Sequence, residues 1–166
     1  MLATIFQIGL FICCYASVWF IISLRVKRND IADIAWGLGF VAIVFFLYFT
    51  QTPTLQSVIV YILTIIWGMR LAIHIGLRSK GKPEDFRYKK WREEWGKYFL
   101  LRSYLQVYLL QGFFMWLISL PIIVVSMSKN QTISPFVLAG SIIWLIGFAF
   151  ESIGDYQLML FIKRKQ

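Results

Sequence analysis

The chain has 166 residues, of which 59% are hydrophobic and only 15% charged, with a mean hydropathy of +0.69. Ordinary soluble chains are nearer half apolar and a quarter charged, and a fold this small leaves much of its surface exposed. A soluble enzyme, a disulfide-built secreted domain and a disordered tail are thereby excluded, and the net charge of +9 must be crowded into the short segments between membrane spans.

The composition and run lengths predict an all-α polytopic bundle, residues 1–166 forming one membrane domain with about five transmembrane helices. The first covers 2–24, long enough for the roughly 20 residues that a helix needs to cross. Its basic residues, Arg25, Lys27 and Arg28, follow the apolar run instead of preceding it, which argues for a retained helix over a signal peptide. Cys13 and Cys14 are adjacent inside it and read as small buried fillers without a metal spacing. The second span covers 34–50 and is closed by Thr52-Pro53-Thr54. The third covers 55–77 and carries Arg70 and His74 near its end. The fourth covers 103–127 and contains Pro121, which neighbouring helices and water make tolerable in a membrane. The fifth covers 135–162, with Glu151 and Asp155 in its second half.

Of the 17 Lys and Arg residues, all but Arg70 and Lys129 fall in the first loop, the third loop (78–102) or the tail. Loop positives mark the cytoplasmic side, so the amino terminus is expected outside and the carboxyl terminus inside. The third loop interleaves its bases with Phe86, Tyr88, Trp91, Trp95, Tyr98 and Phe99 and reads as amphipathic. It suits either an anionic lipid surface or an anionic cofactor. Membrane flanking accounts for the charge without nucleic acid, which is not expected as a partner.

Ionisable residues inside a bilayer are costly and mark candidate sites. Arg70, His74 and Arg78 follow one another at four-residue steps, which suggests one helical face. Arg70 then lies roughly 12 Å above the boundary, at 1.5 Å per residue. Glu151 and Asp155 are also four apart and fall at a similar depth, and Asp33 opens the second helix from the same side. The plainer readings are a snorkelled Arg70 and a structural ion pair of Glu151 and Asp155 with Arg70 or Arg78. The fuller reading is one polar pocket facing the cytoplasm. With a single histidine and two adjacent cysteines, no metal site is expected.

Several stretches together resemble the bacterial branch of the steroid 5-alpha-reductase-like integral membrane family. They are Asp33-Ile34-Ala35-Trp36-Gly37, Trp67-Gly68-Met69-Arg70-Leu71, Arg78 with Gly81-Lys82-Pro83-Glu84-Asp85, Arg87-Tyr88 with Trp91-Arg92, and Glu151 through Gln157. The resemblance implies an NADPH-dependent reductase acting on a lipid-like enone, a hydrophobic small molecule met among membrane lipids, in a bacterial inner membrane. It implies Asp33 and Tyr88 as catalytic candidates and Arg70, Arg78, Lys82, Glu151 and Asp155 as cofactor contacts. The family pattern continues beyond Asp155-Tyr156-Gln157 into an Arg-His-Pro-Asn-Tyr stretch, so the chain resembles a carboxyl-truncated member. On that expectation the isolated chain would be inactive unless completed by a carboxyl-terminal fragment or another copy. A non-catalytic scaffold, lipid-binding or remnant protein is the alternative, and a small transporter the third.

Overall fold

The structure, a computed structural model, describes residues 2–164. Lys165 and Gln166, part of the basic tail, and the side chain of Lys163 lie outside the described residues. Among the described residues every regular element is helical, and five helical spans are long and apolar enough to cross a membrane. The expected fold class holds, and the chain is an integral membrane protein that contacts lipid.

The spanning helices are α1 (Leu2–Val26), α2 (Ile31–Thr50), α3 (Leu55–Ser79), a fourth span ending in a long helix, and a final helix that begins at Pro135. The third loop is largely helical: α4 (Phe86–Trp95) leads through a 3-10 turn (Gly96–Tyr98) and a short α5 (Phe99–Arg102) into the fourth span. That span opens as a π-helix, Ser103–Leu109, and continues as α6 (Leu110–Ser126) through Pro121. The last helix, α7 (Pro135–Arg164), is 30 residues long.

Local chemistry explains the ends. Thr54 caps α3 in a reciprocal box: its hydroxyl accepts from the Ser57 backbone N–H, and the Ser57 hydroxyl accepts from the Thr54 N–H at 2.8 Å. The box satisfies amides that the first turn otherwise leaves orphaned. Ser134 accepts from the Phe136 N–H at 3.2 Å just ahead of Pro135, whose missing N–H costs nothing at the first helical position. The apolar run gave no sign of the π segment, whose side chains bond the first loop and α1. The Ser103 hydroxyl accepts from the Asn29 amide at 2.8 Å, and the Tyr104 hydroxyl bonds Ser17 at 2.9 Å.

In a bilayer, apolar area alone does not drive helices together, since lipid tails are equally apolar; close packing and polar contacts do. α2 and α3 pack by closeness. A Cβ added at Gly37 would lie 2.6 Å from the Gly68 carbonyl oxygen, and one at Gly68 would lie 2.6 Å from the Gly37 oxygen. The core extends from this seam through Phe40, Ile43, Val44 and Leu47 of α2 to Ile8 and Ile12 of α1 and Met115 and Ile123 of α6. A second cluster joins Tyr88, Trp91 and Trp95 of α4 to Trp19 and Phe20 of α1 and to Val107 and Tyr108. α4 is thus docked on the bundle by its aromatic face. α7 packs along α3, and none of its most apolar stretch is buried.

Candidate active site

The first and third loops meet at one end of the bundle, which we call the basic end. Arg28 grips Asp30 through two bonds, Nε to Oδ1 at 3.0 Å and Nη2 to Oδ2 at 2.7 Å, and reaches across to donate from Nη1 to the Lys82 carbonyl at 2.9 Å. The hydrogen bond to Asp30 raises the Arg28 guanidinium above its ordinary pKa. In return, Glu84 accepts from the Asn29 N–H at 2.7 Å and Asp30 accepts from the Asp85 N–H at 3.2 Å. Arg92 closes the clasp on Glu84 at 3.0 Å. Gly81, at φ +72°, makes the turn that lets Lys82-Pro83 fold back toward α2. Asp85 caps α4, accepting from the Arg87 N–H at 3.0 Å and from the Arg87 guanidinium at 3.0 and 3.2 Å. The Arg87 side-chain bond, followed by the backbone bond, holds the Asp85 carboxyl below the usual aspartate range.

Beneath this clasp lies a cleft of about 780 Å³ between α2, α3, α6 and the loop. Asp33, Arg78, Lys82 and Arg87 line its polar part, and Trp36, Phe114 and Ile118 its apolar part. The Tyr88 hydroxyl donates to Asp33 Oδ1 at 3.0 Å, and the Arg87 guanidinium stands 3.7 Å from Asp33 Oδ2. Tyr88 is only 4% exposed, so it stands behind Asp33, which meets the cleft. Arg78 and Lys82 have no ion-pair partner among the described residues. Asp30 and Asp85 line the same cleft. A carboxyl with a bound hydroxyl, beside cations outside any direct ion pair in a partly apolar cleft, is equipped to bind an anionic group and to hydrogen-bond or protonate an oxygen next to it.

The other expected residues sit elsewhere. Arg70 Nη1 pairs with Asp155 Oδ2 at 2.8 Å, and Arg70 Nη2 pairs with Glu151. The Trp67 indole N–H donates to Glu151 Oε2 at 3.0 Å, His74 Nε2 lies 3.7 Å from Asp155 Oδ1, and the Arg70 guanidinium stands 5.3 Å from the Phe148 ring centroid. This cluster pins α7 to α3. The single pocket expected from the sequence is therefore two clusters. Asp33, Tyr88, Arg78 and Lys82 gather at the cleft, whereas Arg70, Glu151 and Asp155 gather at the α3–α7 seam. Helix geometry gives the reason: eight residues at 3.6 per turn overshoot two turns by about 80°, so Arg78 rotates off the Arg70 stripe. It falls in line with Leu71 and Ile75, which line the cleft with it. The structural ion pair of Arg70 with both acids, one of the sequence readings, is what the seam contains.

A second cleft of about 430 Å³ opens between α7 and the bundle, lined by Trp67, Ile122, Trp144, Gly147, Phe148 and Glu151 among others, and it shares Ile118 with the first. The sequence reading missed Asp30, Asp85 and Arg87 as parts of the site. The aspartate immediately before the α4 run was an available capping signal, but nothing local reveals that Arg28 and Asp30 meet a loop more than fifty residues away.

No curated protein and no solved structure matches the chain. Residues 19–166, which contain both clusters, match the family described as "Protein of unknown function (DUF1295)", and the chain belongs to that family.

Proposed function

We propose that the chain is an integral membrane reductase that uses NADPH to reduce a lipid-like enone, and that the first cleft is its active site. The observation that carries the reading is the Tyr88–Asp33 pair beside a cleft lined by Arg78 and Lys82, neither in a direct ion pair among the described residues. The residue set fits the cofactor: the two cations suit its phosphates, and Trp36 and Phe114 offer apolar surface to a ring. When bound, NADPH supplies the hydride that adds to the β-carbon of the enone. Asp33 in its acid form protonates the carbonyl oxygen as the hydride arrives; the enol so formed takes a proton from water at the α-carbon and returns its hydroxyl proton to Asp33, so that one hydride and one proton are added in all. Tyr88 holds one carboxyl oxygen, and Arg87 is the nearest counter-charge to the other. In this reading Arg78 and Lys82 bind the cofactor, while Arg70, Glu151 and Asp155 fasten α7. The basic end is cytoplasmic by its Lys and Arg content, in the inner membrane of a bacterium, where reduced cofactor is available.

The test is NADPH oxidation by the detergent-purified protein with a long-chain unsaturated ketone. Asp33→Asn is expected to lower turnover about a hundredfold, and Lys82→Met to raise the KM for NADPH about tenfold, the loss of one charge-assisted contact. Absence of both turnover and thermal stabilisation by NADPH, also with a complementing carboxyl-terminal fragment supplied, would overturn the reading.

A further inference from the structure

The second cleft has a shape and lining that the cofactor reading leaves unused. Its walls are Phe40 and Trp67, Ile118 and Ile122, Trp144 and Phe148, with Thr64 and Glu151 as the polar exceptions. Thr64 already donates to the Val60 carbonyl at 2.8 Å, and Glu151 is taken by Trp67 and Arg70, so neither is left seeking a polar ligand. Ile118 lines both clefts, so a polar cleft and an apolar one lie on either side of one side chain. The apolar cleft opens toward lipid: Ile118 is 54% exposed, and Gly147 across from it is exposed with no atom within 4 Å of a would-be Cβ.

We propose that the second cleft is a hydrocarbon subsite, holding the apolar tail of a bilayer-borne amphiphile whose reacting head lies in the first cleft. This placement of the head rests on the reductase reading; the tail subsite itself rests on the apolar cleft. A cleft of about 430 Å³, open to the bilayer and with its polar groups already bonded, calls for an apolar occupant. A flexible chain fits it, within the usual range of small-molecule sites. The tail arrives from the bilayer through the gap at Ile118 and Gly147 without leaving an apolar medium.

The probe is a long-chain unsaturated ketone with a diazirine in its tail, photolysed with the full chain in lipid nanodiscs and mapped by mass spectrometry. Adducts are expected on Trp144, Phe148 and Ile122, competed by the same ketone without the diazirine. Gly147→Leu fills the cleft, and should lower labelling at these positions about tenfold, the usual cost of overpacking an occupied site. Ile118→Trp, placed at the junction of the clefts, should do the same, so a misfolded single variant cannot decide the result. Adducts spread over the lipid-facing surface and unchanged in both variants would overturn the subsite. Adducts that concentrate in the cleft, in a protein that neither binds nor oxidises NADPH, would uphold the subsite and overturn the reductase reading.

Discussion

α3 has two seams, and they are built on opposite principles. Toward α2 it presents Gly68, and the two backbones approach so closely that neither glycine has room for a methyl group. Toward α7 it presents Arg70 and His74, and the contact is ionic, with Trp67 as a supporting donor. Half of the most apolar stretch of α2 is buried and none of that of α7. Since burying apolar surface gains nothing against lipid, a helix without close packing needs polar contacts to stay attached. The protein is rigid at one seam and has space at the other. The glycine seam fixes α2, and with it Asp33, while the ionic seam holds α7 at a distance that leaves a cleft beside it.

The glycine seam is the more costly of the two to disturb. Gly37→Ala puts a carbon against the Gly68 carbonyl at 2.6 Å, and a backbone atom cannot move aside as a flexible side chain can. The expected loss is about 3 kcal/mol, read as a shift of the unfolding midpoint in a denaturing detergent titration. The ionic seam should fail differently. Arg70→Met leaves Glu151 with only the Trp67 N–H and Asp155 with only His74 beside it, a cost of about 2 kcal/mol after allowing for their partial exposure. Protease cleavage between α6 and α7 should then rise while the rest of the bundle stays folded. Neutralising all three as Arg70→Met, Glu151→Gln, Asp155→Asn should recover part of the loss, because no carboxylate is then left without a partner.

The same contrast explains what the sequence could and could not tell. Spans were legible because each is a long apolar run between charges, and α2, α3 and α7 begin within a few residues of the expected positions. The concentration of ionisable residues near one end of the bundle was legible too, since Arg70, Glu151 and Asp155 stand out in apolar surroundings. Which of them meet was not. Arg70 and Arg78 look equivalent at steps of four, yet the extra rotation over two turns sends one to α7 and the other to the cleft. Asp33 with Tyr88, and Arg28 with Lys82, are joined only by the return of the third loop across the first. The π-helix at Ser103–Leu109 was invisible because its side chains answer to Asn29 and Ser17, not to a period along their own helix.

The clasp over the first cleft offers a milder perturbation than either seam. Asp85 titrates below the ordinary aspartate value because Arg87 bonds its charged form. A lowered folded pKa means that its stabilisation is complete above the ordinary value of about 4 and is lost as pH falls through the lowered one. Arg87 is 54% exposed and Asp85 30%, so solvent screening keeps the effect near 0.5 kcal/mol. Amide protection factors over 82–88, taken relative to the intrinsic rate at each pH, should therefore fall below about pH 4. Asp85→Asn should exchange faster at neutral pH and remove this contribution to the acid response.

The smallest expected effect is the most discriminating, because it uses the same residue type as the largest. Gly147 lies in a helix, as Gly37 does, but nothing stands within 4 Å of the position its Cβ would take. Its substitution has no backbone carbonyl to strike, and glycine inside a helix already costs about 0.5–1 kcal/mol relative to alanine. Gly147→Leu should thus leave the detergent unfolding midpoint unchanged or raise it by about 0.5 kcal/mol. A loss comparable with that of Gly37→Ala would mean that α7 closes onto the bundle in the membrane and that Gly147 serves a tight seam after all. A neutral result would establish that one helix of this protein uses glycine to bring backbones together, while another has glycine where the bundle is open.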